Sequence, residues 1–182
     1  MKLMLHQKRK FQKMNKKKMN NIAFLGLGSN IHPKKKFLFS AINLLSAHKY
    51  IKVNKISNFY LTKPYGYENQ NSFINCVLKI ETELTPFKLI EEIKLIEKIV
   101  GRKKRFRWGP REIDIDILFY NDFILNSEKL TIPHPDLHNR AFVLIPFMDI
   151  EPNFTHPILK KTISELLQDL SISDINQVIK EG

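Results

Sequence analysis

Between residues 113 and 118 the chain reads Ile-Asp-Ile-Asp-Ile-Leu, and this alternation constrains the fold more than any other stretch. In an extended chain Ile113, Ile115 and Ile117 point to one face, and Asp114 and Asp116 to the other, about 6.5–7 Å apart along the strand. A core holding two unpaired carboxylates is very costly, so the second face must meet solvent, a partner or a metal ion. Oxygen ligands at this spacing suit hard cations, and Mg²⁺ held by one or two carboxylates plus phosphate oxygens is usual at phosphoryl-transfer sites. Taken alone, Asp-x-Asp is more often plain alternation on a solvated strand.

The neighbours change that balance. Arg102, Lys103, Lys104, Arg105, Arg107 and Arg111 lie within fifteen residues of the acids. Such a cluster serves nucleic acid in some chains and is a solvated loop in others, but beside paired carboxylates it is what polyphosphate and its metals require. Trp108, flanked by Arg107 and Gly109, is a poor core candidate.

Around this segment the periodicities predict a strand over residues 21–28, closed by the turn Gly28-Ser29-Asn30. A helix follows to about residue 48, with Pro33 in its first turn and Phe37, Ala41, Leu44 and Leu45 as its apolar stripe. Residues 51–61 and 73–84 read as strands separated by a turn-prone loop with Pro64 and Gly66. On the second strand Ile74, Cys76, Leu78 and Ile80 share a core face, which turns Phe73 and Asn75 the other way. Thr85, Pro86 and Gly101 bracket a helix whose apolar positions are Leu89, Ile93, Ile96 and Val100. After the basic loop come the 113–120 strand, a short strand LTIPH, and helices over 140–150 and 162–170. The order β-α-β-β-α-β is the split β-α-β, or ferredoxin-like, pattern. It predicts an α+β fold, a sheet with helices packed on it in three α/β/α layers.

Charge and cysteine content narrow the classes further. The net charge of +12 is uneven, because residues 1–20 hold seven Lys and Arg9 with no acid, leaving 22 basic against 18 acidic residues, or +4, elsewhere. Such a segment is expected to be a disordered, solvated tail. No stretch suits a membrane span or a signal peptide, which predicts a cytoplasmic protein without membrane partners. Cys76 is the single cysteine and reads as a buried thiol.

The chain resembles the 6-hydroxymethyl-7,8-dihydropterin pyrophosphokinase family. That family's signature is a basic residue, any residue, Gly-Pro-Arg, any two residues, then Asp, aliphatic, Asp and two aliphatics. Arg107, Gly109, Pro110, Arg111, Asp114, Ile115, Asp116, Ile117 and Leu118 satisfy every position. The likeness extends over LGLGS, FYLTKPYG and TIPHPDLHNRAF, and covers roughly residues 21–160. The resemblance implies transfer of pyrophosphate from ATP to the pterin by a single pyrophosphokinase domain over residues 21–182, acting as a monomer. Asp114 and Asp116 would hold two Mg²⁺ ions, and Arg102 and Arg111 would stabilise the moving charge. Phe73 and Phe142 would sandwich the pterin ring, Asn75 would pair with its edge, and Thr62, Pro64, Tyr65 and Gly66 would line the pocket. For ATP the resemblance implies Lys104, Arg107, Trp108 and Arg111 on the basic loop, His134 and Arg140 on the phosphates, and Ile90, Lys94, Glu97, Ile117, Lys129 and Thr131 around the nucleotide.

The rival reading is a basic ferredoxin-like nucleic-acid-binding module. It calls for an aromatic RNA-binding strand motif that the sequence lacks, and it leaves the acidic pair unexplained, since carboxylates repel phosphate without a metal. No nucleic-acid partner is therefore expected. Neither a Walker A loop nor a dinucleotide fingerprint is present, since Ile31 occupies the place of a third glycine.

Overall fold

The computed structural model describes residues 21–66, 69–106 and 108–182, so the expected tail over 1–20 and the site candidate Arg107 lie outside the described residues. Strand β1 (Asn21–Ser29) runs through the centre of an antiparallel sheet. Strand β4 (Phe73–Thr82) pairs along one side of it and β5 (Asp114–Tyr120) along the other. On its outer side β4 pairs with two short strands, β2 (Ile51–Ile56) and β3 (Tyr60–Thr62), so the single strand expected over 51–61 is broken in two. The break lets β2 pair with one end of β4 and β3 with the other. Short strands β6 (Leu125–Asn126) and β7 (Thr131–Ile132) form a separate ribbon. A C-terminal strand absent from the sequence expectation, β8 (Val178–Lys180), pairs with β3.

Helices cover both faces. Helix α1 (Lys34–Ala47) and α2 (Pro86–Val100) pack with Ile113, Ile115 and Ile117 in one core. Helix α3 (Ala141–Met148) and α4 (Ile163–Gln168) pack with Phe24, Val77, Leu118 and Phe119 in the other, and a single turn, α5 (Ile172–Ile175), precedes β8. Leu118 and Phe119 both join this second core because the β1–β5 register slips by one residue, Leu25 facing Ile117 and Phe24 facing Phe119.

Helix α2 matches its expected boundaries: Thr85 caps the Lys88 N–H at 3.4 Å, Pro86 occupies the first turn, and Gly101 closes the helix at φ 107°. In α1 the buried stripe is Leu38, Ala41, Ile42 and Leu45, with Phe37 only half-buried. The expectation began that stripe one residue early because both positions are apolar. Among the described residues no helix is long and apolar enough to cross a membrane.

Candidate active site

Register across the three central strands builds the floor of a cleft. Gly28 lies between Asn75 and Asp114, and Gly26 between Val77 and Asp116, so these side chains share the face opposite α1 and α2. The glycines leave a trough. A Cβ on Gly28 would come within 2.6 Å of Asn75 Oδ1, a distance real carbon atoms do not tolerate. The resulting cleft has a volume of about 230 Å³.

One end of the cleft is aromatic. Phe73 and Phe142 contribute walls, with Tyr65 and Gly66 on the loop after β3. The Arg140 guanidinium lies 5.6 Å from the Tyr65 ring centre and 5.7 Å from that of Phe142. Buried Asn75 donates through Nδ2 to Thr62 Oγ1 at 2.7 Å, which orients the amide. Pro64 lines a smaller adjoining pocket against α3 and the residues before β8.

The other end is ionic, and a second, basic cavity of about 260 Å³ is lined by Lys94, Arg102, Lys104 and Arg105. Arg111 borders both cavities. It pairs with Asp114 Oδ2, while Arg102 pairs with Asp114 Oδ1 at 2.5 Å and also with Glu97. Glu97 is only 2% exposed, accepts the Ile115 N–H at 2.8 Å and takes a further bond from Lys94. Burial raises the Asp114 carboxyl, but the Arg111 and Arg102 charges outweigh it and hold the group below its usual range. Burial pushes Asp116 up to about 6, reinforced by the neighbouring Asp114 charge. His134 is pushed down to about 4 by burial and by Arg140, so it is neutral at neutral pH. Its Nε2 lies 3.4 Å from Arg140, which also binds Asp136 at 3.0 Å.

The basic loop is more anchored than its charge suggests. Arg105 forms a two-pronged bond to the Glu112 carboxylate at 2.8 and 2.6 Å, and the Lys103 N–H adds a third bond at 3.1 Å. Glu112 is buried, and this clamp holds its carboxyl down to about 2. Trp108 is 56% exposed at φ 62° and borders the cleft.

The carboxylates fit a divalent ion. Asp116 borders the cleft beside Asp114, and its carboxylate makes no hydrogen bond to another described residue. Among the described residues no third His, Cys, Asp or Glu joins the pair, so an ion would take its remaining ligands from water and phosphate, as Mg²⁺ commonly does.

Residues 24–152 match the family model described as 7,8-dihydro-6-hydroxymethylpterin-pyrophosphokinase (HPPK). The chain belongs to this family. It is 43% identical over 157 residues to the 2-amino-4-hydroxy-6-hydroxymethyldihydropteridine pyrophosphokinase of Aquifex aeolicus, covering 86% of this chain and 97% of that protein. It is 45% identical over 132 residues to the Bacillus subtilis protein of the same name, covering 72% of this chain and 79% of that protein. Among solved structures, Plasmodium falciparum HPPK-DHPS matches with a TM-score of 0.69 at 19% identity, which speaks to the fold. The match covers 91% of this chain and 48% of the Plasmodium chain, so this chain spans about half its length.

Measured against the HPPK resemblance, the candidate residues divide by position. Thr62, Tyr65, Gly66, Phe73, Asn75, Trp108, Arg111, Asp114, Asp116, Arg140 and Phe142 line the main cleft, and Lys94, Glu97, Arg102 and Lys104 the basic cavity. Ile117 is 3% exposed in the α1/α2 core, and Ile90 packs at that core's margin. Lys129 and Thr131 belong to the β6–β7 hairpin. Sequence reasoning passed over Glu112, Asp136, Asn30 and Gln70. Glu112 was within reach, because it shares its parity with Asp114 and Asp116.

Proposed function

We propose that the chain transfers the pyrophosphoryl group of ATP to the hydroxymethyl oxygen of 6-hydroxymethyl-7,8-dihydropterin, giving AMP and the pterin diphosphate in folate biosynthesis. The observation that carries this reading is that Arg111, paired with Asp114 of the aromatic cleft, also lines the basic cavity. A flat heterocycle suits the Phe73–Phe142 end, where Asn75 offers both a donor and an acceptor to its edge, with Thr62, Pro64, Tyr65 and Gly66 around it. A polyphosphate suits the cavity of Lys94, Arg102, Lys104 and Arg105, and the family resemblance assigns Arg107, Trp108, His134 and Arg140 to ATP as well. Glu97, Ile90, Ile117, Lys129 and Thr131 are assigned to the nucleotide side on the same reading.

The pterin oxygen attacks the β-phosphorus in line, the bond from that phosphorus to the α,β-bridging oxygen breaks, AMP departs and the hydroxyl proton is released. Arg102 and Arg111 stabilise charge as it shifts toward the bridging oxygen. Positioning does most of the work, and neutral His134 contributes hydrogen bonding. Asp114 and Asp116 would hold two Mg²⁺ ions. Such ions supply charge neutralisation and alignment of the phosphates.

The same reading takes residues 21–182 as one pyrophosphokinase domain acting as a monomer. The helix and strand order about β1, β4 and β5 supports a split β-α-β arrangement. Incubating the protein with ATP, Mg²⁺ and the pterin should release AMP. Formation of ADP, or no pterin-dependent product, would refute the assignment.

A further inference from the structure

Asn30 stands outside every role assigned above, yet it is 0% exposed and its amide is fully engaged. Its Oδ1 accepts the Arg111 N–H at 2.8 Å, and its own N–H donates to the Arg111 carbonyl at 3.2 Å. Its Nδ2 donates to Gln70 Oε1 at 2.9 Å and to the Asn71 carbonyl at 3.2 Å. Gln70 in turn donates through Nε2 to the Trp108 carbonyl at 3.1 Å. One buried amide at the end of β1 thus fastens the residues just before Phe73 to the segment that carries Trp108 and Arg111. An amide with both donors and its oxygen used has a single orientation, so neither attachment shifts without straining the other.

We propose that Asn30, acting with Gln70, is the positioning joint through which nucleotide binding sets the pterin pocket. The inference rests on the function proposed above. A polyphosphate drawing on Arg111 and the basic loop moves a backbone tied to Asn30 and, through Trp108, to Gln70. The displacement reaches the strand that presents Phe73 and Asn75. A buried asparagine that merely completes a turn would instead affect stability, and both substrates alike.

Calorimetric titration of 6-hydroxymethyl-7,8-dihydropterin into full-length protein, with and without α,β-methylene-ATP and Mg²⁺, separates these cases. In the unmodified protein the nucleotide should tighten pterin binding by about tenfold or more. Asn30→Asp keeps an acceptor for the Arg111 N–H and loses both donors. Gln70→Ala leaves the Asn30–Arg111 pair intact and cuts the link to Trp108. Each should lower the pterin affinity ratio by about fivefold, with nucleotide affinity held within about twofold. Ratios within twofold of the unmodified value in both variants would overturn the proposal, as would equal weakening of both ligands. Should Asn30→Asp fail to fold, Gln70→Ala decides alone. An unmodified protein that binds both ligands without coupling refutes the joint and spares the function, whereas one that binds neither refutes the function itself.

Discussion

Asp116 is a carboxylate kept in an unfavourable place, and that sets a measurable opposition between stability and activity. Burial and the Asp114 charge raise its pKa to about 6, so the folded protein holds this proton more tightly than the unfolded chain. The sign follows: stability from this group is highest below its ordinary value and falls as pH rises from there through about 6. Asp116→Asn removes the penalty and, without ligands at pH 7.5, should stabilise the protein by about 1–3 kcal/mol in urea unfolding while reducing turnover at least about a thousandfold. A variant less stable than its parent would show that the carboxylate is already compensated. Glu112 behaves oppositely, because the Arg105 hydrogen bonds hold it at about 2. Its contribution is present above the ordinary carboxylate range and is lost as pH falls toward 2. Glu112→Gln should therefore lower the melting temperature at pH 7, by no more than about a few degrees because Arg105 is exposed, with the gap closing near pH 2. The facing of Asp114 and Asp116 was legible from alternation alone. The clamp on Glu112 was not, because only the folded chain brings Arg105 back across seven residues.

At the level of elements, the β3 strand shows how a short segment acquires a fixed position. Three residues cannot hold a strand by themselves, and β3 is held from both sides, by β4 at Phe73–Asn75 and by β8. Glu181 N–H donates to the Phe59 carbonyl at 2.8 Å, so antiparallel alternation makes Leu61 and Ile179 the next hydrogen-bonded pair. Lys35 ties the end of β8 to α1 through Glu181 at 3.2 Å. Ile179→Pro removes one donor from this ladder and should loosen Thr62 and the loop after it. The expected result is a KM for pterin raised about 3–10-fold, with KM for ATP and kcat within about twofold and a melting temperature lower by a few degrees. Equal changes in both KM values would show that β8 acts on global stability and not on the aromatic end. Helix α2 and strand β4 were readable because capping residues and strict periodicity mark them. Strand β8 was not, since VIK carries no turn signal and pairs only through tertiary contact. Nor did charge alone reveal the anchoring of the basic loop, whose partners Glu97, Glu112 and Asp114 lie outside it.

On the scale of the whole molecule, both cores hang on β1, which is buried between β4 and β5 and sends Ala23, Leu25 and Leu27 to one core and Phe24 to the other. Its first residues are tied in as well. Asn21 donates to the Thr82 carbonyl at 3.2 Å, and the Ile22 N–H donates to Asn121 Oδ1 at 2.8 Å. The boundary between dispensable and essential sequence should therefore be abrupt. Deleting residues 1–20 removes eight cations and no described contact, since 30 basic residues fall to 22 against 18 acids. Turnover should stay within about twofold, and the melting temperature within about 2 °C. Extending the deletion through Phe24 removes a ring that packs 4.6 Å from Phe147 and 4.9 Å from Phe154, together with four residues of ladder to β4. Loss of a buried Phe alone costs about 3–5 kcal/mol, comparable with the whole stability of many domains, so this longer deletion should not yield folded protein. Circular dichroism melts and AMP-release assays on the two deletions make the comparison. A large loss of stability or turnover on removing only residues 1–20 would show that the basic segment belongs to the working structure, and a folded product from the longer deletion would show that β1 does not organise the two cores.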